Sequence, residues 1–101
     1  MDLLSVFGAE PVFERVVIDR DRITGGGVTA GIDFGLGIAA ELYGEDVAKE
    51  IQLMMEYAPK PPFQCGSPQT ADERIVKKAI RLRSGIQAAR REIALRARAK
   101  L

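Results

Sequence analysis

Apolar side chains dominate one stretch of this chain. Between Ala30 and Tyr43 they occupy nearly every face that a helix would present. Ile32, Leu36, Ala39, Ala40 and Tyr43 recur at helical spacing, Phe34, Ile38 and Leu42 fall on other faces, and only Asp33 and Glu41 are charged. The pattern predicts a helix covered on most sides, typically by a sheet. Gly31, Gly35 and Gly37 each lower helix propensity by about 1 kcal/mol relative to Ala, which makes sense if the helix packs very closely on its neighbour. Thr29 suits the N-cap, and Gly44 closes the element. Ahead of it, Phe13–Ile18 is rich in β-branched residues, Asp19–Arg22 is a polar turn, and Ile23-Thr24 is a brief second strand.

The flanking segments are weaker versions of the same alternation. Residues 2–7 read as the last turn or two of an amphipathic helix, ended by Gly8. Glu45 and Asp46 open a second helix with acids in its first turn. Its buried stripe is expected from Val47, Ile51, Met54, Met55 and Ala58, and Pro59 stops it. Thr70-Ala71-Asp72-Glu73 has the spacing of a capping box for a last helix. In that helix Ala79, Leu82, Ile86, Ala89, Ile93 and Ala97 follow a three-four alternation, with Ser84-Gly85 a point where it would kink.

Length and charge sharpen the picture. At 101 residues there is room for one small domain at most, and 47% apolar content is that of a globular protein. No apolar run is long enough to span a bilayer, and Met1-Asp2 lacks the basic start of a secretory signal. The single cysteine excludes an internal disulfide framework and fits a reducing cytoplasm. With no histidine, the commonest general base and the commonest metal ligand are missing. Residues 1–73 hold five Lys/Arg against thirteen Asp/Glu, a net −8, whereas residues 74–101 hold ten against one, a net +9. We therefore divide the chain into a body, 1–73, and a basic C-terminal helix, 74–101. Such a helix can bind nucleic acid or an anionic membrane, but a solvated surface helix is the commoner outcome, so neither partner is expected.

The candidate chemistry centres on Gly25-Gly26-Gly27-Val28-Thr29. Three successive glycines cost backbone entropy, so the position needs either left-handed torsions or close approach of bare backbone. A strand, a glycine turn and a helix N-terminus also aim N–H groups at whatever sits above the turn. Gly25, Gly26, Gly27, Val28 and Thr29 are thus candidates for the wall of a substrate pocket, although a tight strand-to-helix connection explains them as well. Asp33 in the following first turn faces a possible active site or simply answers the helix dipole. Cys65 lies in a Pro/Gly loop without the preceding strand, cation or base that activates a thiolate, and it reads as a spectator. No catalytic residue and no metal ligand is assigned.

Two short strands with a helix that wants burial on several sides do not make a finished domain. The string Ile23-Thr24-Gly25-Gly26-Gly27-Val28-Thr29-Ala30-Gly31-Ile32-Asp33-Phe34-Gly35-Leu36 resembles the strand–turn–helix near the C-terminus of the DJ-1/PfpI superfamily, and most closely its isonitrile hydratase (cyclohexyl-isocyanide hydratase) branch. Asp2-Leu3-Leu4, Phe7-Gly8-Ala9, Pro11-Val12, Arg15-Val16-Val17, Gln52-Leu53, Glu56-Tyr57-Ala58-Pro59, Pro61-Pro62-Phe63 and Gly66-Ser67-Pro68 continue the match to about residue 73. The resemblance implies an α/β fold, namely the C-terminal part of a flavodoxin-like (class I glutamine amidotransferase-like) sandwich, here mostly helical with about two short strands. It implies a homodimer, no cofactor, and a lyase whose cysteine, on a strand-to-helix elbow, attacks an isocyanide that water converts to an N-substituted formamide. That elbow and its acidic helper would lie upstream of Met1, so the chain alone is expected to be inactive. Some DJ-1/PfpI-like domains instead serve transcription regulators as ligand-sensing modules, and those continue into paired helix-turn-helix units. A chain completing a partner polypeptide in trans is a third reading.

Overall fold

The computed structural model describes residues 2–101, so Met1 and the reading of it as a start lie outside the described residues. The chain divides into two compact units, Val12–Pro59 and the flanking stretches up to Pro11 and Lys60–Leu101.

The Val12–Pro59 unit is a hairpin followed by two helices. Strands β1 (Val16–Asp19) and β2 (Arg22–Gly25) pair antiparallel, with Val16 opposite Gly25, Val17 opposite Thr24, Ile18 opposite Ile23 and Asp19 opposite Arg22. The pairing consumes the outer residues of the expected turn, so the loop is only Arg20-Asp21. Arg20 takes a φ of 56°, the left-handed torsion that a two-residue hairpin demands to match the twist of its strands. Phe13, Glu14 and Arg15, expected in the first strand, precede β1.

Helix α1 (Ala30–Tyr43) has the bounds its apolar pattern predicts. It is followed by α2 (Glu45–Met54) after the single residue Gly44. Gly44 sits at φ 95° and ψ 157°, a region essentially reserved for glycine. Its N–H donates to the Ala40 carbonyl (2.9 Å) and its own carbonyl accepts from Ala48 (3.3 Å), so one residue ends one helix and starts the next. The second helix stops short of Pro59. Glu56 turns left-handed at φ 52°, its N–H donates to the Leu53 carbonyl, and the Tyr57 N–H donates to that of Gln52. These two bonds are a Schellman ending, made here without the usual glycine.

In the other unit, residues Asp2–Phe7 form a 3-10 helix rather than the expected α-helical turns. Six residues favour the tighter winding, and Gly8 at φ 85° ends it with the same pair of backbone bonds, to Ser5 and Leu4. This 3-10 helix packs against α3 (Glu73–Ala99). The cap of α3 is Asp72, whose carboxylate accepts from the Arg74 N–H at 2.8 Å, and not Thr70. Thr70 is occupied one turn earlier, where its N–H and hydroxyl engage Ser67. The helix runs unbroken through Ser84-Gly85, with the Ser84 hydroxyl donating to the Arg81 carbonyl. Among the described residues, no helix is long and apolar enough to cross a membrane.

The described residues bury few apolar side chains, namely Val6, Ala30 and Ala48. The expected stripe of α2 is exposed, and it is Ala48 that is buried. Leu42, Tyr43, Leu53 and Met54 each expose more than two-thirds of their surface. Beyond the helix's own backbone, a Cβ at Gly31, Gly35 or Gly37 would meet no atom within 4 Å, so among the described residues of this unit none supplies the close-packed neighbour those glycines predict. Cooperative unfolding depends on apolar burial, and large open apolar patches promote association. The isolated chain should therefore melt in a broad, sloping transition by circular dichroism, bind a hydrophobic dye before heating, and sediment as a mixture of species. A sharp melt of a monodisperse monomer would contradict this.

Candidate functional site

The glycine turn is fixed by the strand before it and the helix after it. Beyond the last paired residues of the hairpin, the Gly26 N–H donates to the Arg15 carbonyl at 2.9 Å. Each glycine then meets a different constraint. A Cβ on Gly25 would lie 3.4 Å from the Phe34 side chain, and one on Gly26 would lie 3.3 Å from the Glu14 carbonyl oxygen. Gly27 has open space around it but adopts φ 82°, which L side chains rarely take. Val28 is 98% exposed, so no apolar contact of its own anchors the turn.

Thr29 does not cap α1 with its side chain. At φ −76° and ψ −17° it is already helical, and its hydroxyl accepts from Arg15 Nη1 at 3.5 Å instead of from the first-turn N–H groups. The same guanidinium reaches further into the helix, where Arg15 Nε donates to Asp33 Oδ2 at 2.5 Å. The second oxygen of that carboxylate accepts from the Tyr57 hydroxyl. Asp33 is thus placed by α1, Arg15 by the approach to β1, and Tyr57 by the left-handed ending of α2, with Gln52 Nε2 donating to the Tyr57 carbonyl at 3.1 Å. The structure joins Thr29 and Asp33 to Arg15 and Tyr57, which lie in segments that match the family but which no spacing connects to the aspartate: they stand 18 residues before and 24 residues after it.

The three groups set one another's proton affinity. The hydrogen bond from Tyr57, then that from Arg15, hold the Asp33 carboxyl below the usual aspartate range. The bond to Asp33 in turn raises the Tyr57 phenol above its ordinary value, and it raises the Arg15 guanidinium as well. Charge-assisted hydrogen bonds of this kind favour ionised Asp33 and neutral Tyr57 together. Cys65 is a free, exposed thiol in the irregular loop between α2 and α3 and belongs to the other compact unit. Among the described residues, no three Cys, Asp or Glu side chains converge to hold a metal ion.

The cluster makes a pH prediction. Asp33 has a lowered folded-state pKa, so its contribution is present above the unfolded value and is lost as pH falls through the folded one. Tyr57 has a raised folded-state pKa, so its contribution is present below the unfolded value and is lost as pH rises through the folded one. The tie between α1 and the end of α2 is therefore intact across the neutral range and opens at both extremes. In a Tyr43→Phe background, ultraviolet titration of the remaining phenol should give a midpoint above about 10, and Asp33→Asn should lower it. An unchanged midpoint in the Asp33→Asn variant would show that the carboxylate does not hold Tyr57.

The chain is 52% identical over 100 residues to an isonitrile hydratase of Pseudomonas putida, a match covering 99% of this chain and 44% of that protein. A ThiJ/PfpI family protein from Pseudomonas syringae, known from its crystal structure, superposes with a TM-score of 0.87 at 47% identity. That alignment covers 92% of this chain and 38% of the other. No family model matches the chain. It spans less than half the length of the relatives it matches. The mostly helical segment with two short strands is the expected piece of a flavodoxin-like α/β fold. Similar in sequence to part of an isonitrile hydratase and in backbone to part of a ThiJ/PfpI family protein, this chain corresponds to a portion of a protein of the DJ-1/PfpI superfamily.

Proposed function

We propose that the chain is the C-terminal part of an isonitrile hydratase, in which Gly25, Gly26, Gly27, Val28 and Thr29 form one wall of the isocyanide pocket. The identity of 52% across 99% of the chain to the Pseudomonas putida enzyme carries this reading. In the complete protein, a cysteine thiolate from outside these residues adds to the terminal isocyanide carbon, and water then gives the N-substituted formamide. Overall, one water adds to one isocyanide and no redox partner is needed. The contribution of this chain is shape. Bare backbone at Gly25–Gly27 lets the linear isocyanide group lie against the turn, and Val28 offers an apolar contact to its substituent. Cys65 takes no part. The assembled enzyme is a cytoplasmic homodimer with no cofactor, and nucleic acid and membranes are not its partners.

A chimera tests the reading. The matching stretch of the Pseudomonas putida enzyme is replaced by residues 1–101, and cyclohexyl isocyanide is followed to its formamide by mass spectrometry. The chimera should be active, should remain so with Cys65→Ser, and should lose activity with Val28→Asp, a change at a 98% exposed side chain, while keeping its melting temperature. The 101-residue chain alone should give no product. Product from the isolated chain, or a folded but inert chimera, would overturn the proposal.

A further inference from the structure

Four of the five residues of the pocket wall have no side chain that anchors it, and the fifth, Thr29, is engaged by Arg15. Gly25, Gly26 and Gly27 have none, and that of Val28 stands in solvent. What fixes the wall is a residue outside it. Arg15 grips the turn at three places: its carbonyl takes the Gly26 N–H at 2.9 Å, its Nη1 reaches the Thr29 hydroxyl at 3.5 Å, and its Nε bonds Asp33 at 2.5 Å. The residues bracketed in this way are the two ends of the Gly26–Thr29 segment and the first turn of the helix behind it. We propose that Arg15, Asp33 and Tyr57 are positioning residues for the reaction, a clamp that sets where the Gly25–Thr29 wall stands. The proposal rests on reading those five residues as pocket wall.

Two features favour positioning over simple stabilisation. The ion pair is open to water, with Arg15 55% and Asp33 29% exposed at their side chains, and exposed pairs add little to stability. Its geometric reach across the turn is nevertheless long. The planar guanidinium holds two acceptors at fixed angles, which a lysine ammonium on a flexible stem does not reproduce. The second feature is where backbone strain appears. Glu56, a residue with a Cβ, is held at φ 52° immediately before Tyr57, in a conformation that costs a non-glycine residue energy. The left-handed turn brings the Tyr57 hydroxyl to the oxygen of Asp33 that Arg15 leaves free. With both oxygens engaged, the carboxylate cannot swing away from Arg15, and the arginine stays across the turn.

The same chimera separates the clamp from the wall. Arg15→Lys keeps the charge and loses the fork. It should lower kcat/KM by roughly ten- to a hundred-fold, as a misplaced binding surface does, mostly through KM, with an unchanged melting temperature. Tyr57→Phe should have a smaller effect in the same direction. In the chimera, Arg15→Lys should shift the amide resonances of Gly26 and Gly27 while those in the middle of α1 stay in place. If Arg15→Lys matches the parent in kcat and KM while Val28→Asp is folded and inactive, the clamp is wrong and the wall stands. If Val28→Asp retains activity, the wall itself is wrong. A fall in kcat/KM that tracks a lower melting temperature would reduce the three residues to a structural role and overturn the inference.

Discussion

One carboxylate sets the orientation of the parts of the hairpin-and-helices unit. Asp33 accepts Arg15 on one oxygen and Tyr57 on the other, and these partners come from the segment entering β1 and the segment leaving α2. Without that convergence, the hairpin, the glycine turn and the helix pair would be joined by covalent sequence, backbone hydrogen bonds and a little apolar contact. The cluster is polar and water-accessible, so it adds direction more than energy. Charge-assisted hydrogen bonds suit this purpose because they weaken quickly when the angle is wrong. The turn inherits its position from that precision.

The energetic side of the fold is thin by comparison. A helix apolar on nearly all faces leaves Ile32, Leu42 and Tyr43 exposed and most of its other apolar side chains only half-buried, and a Cβ at any of its three glycines would meet nothing within 4 Å. Conformational entropy opposes folding by roughly 1–2 kcal/mol per ordered residue, and the few small side chains buried here are a weak answer to it. These open surfaces are the physical counterpart of a chain that spans 44% of one relative and 38% of another. A protein of that greater length has material to cover them, and the close approach that Gly31, Gly35 and Gly37 permit has a purpose only when something is laid against α1.

Local signals reported local structure well. The limits of α1 follow from glycines placed before and after an apolar run, and the hairpin follows from β-branched residues around a polar pair. The failures share one cause, which is competition among neighbouring signals. Pro59 was the obvious stop for α2, yet Glu56 turns the chain earlier because the ending gains two backbone bonds and delivers Tyr57 to Asp33. Thr70 had the spacing of a cap, but Ser67 claims its hydroxyl and Asp72 is nearer the helix. Thr29 had the chemistry of a cap, but Arg15 takes its oxygen. The clamp itself could not be read from periodicity. Its members are 18 and 24 residues from Asp33, and only the folded backbone makes them neighbours. The resemblance to DJ-1/PfpI proteins was readable because the glycine string and the Pro-Pro-Phe loop are uncommon together, whereas the acids and bases of the last helix form no comparable motif.

Gly44 carries a further implication for how this unit can change. A one-residue joint has no slack, so the rotational phase of α2 is dictated by the residue count of α1. Adding a single residue between Asp33 and Gly44 would spin everything beyond it by about 100° and advance it about 1.5 Å, swinging the Tyr57 hydroxyl off its acceptor. Adding or removing a near-integral number of turns would largely restore the heading but displace α2 by about 5.4 Å per turn along the axis. The fourteen-residue span of α1 is consequently a setting rather than an accident, and length variation among kindred chains should collect in the Arg20-Asp21 loop or after Pro59 instead.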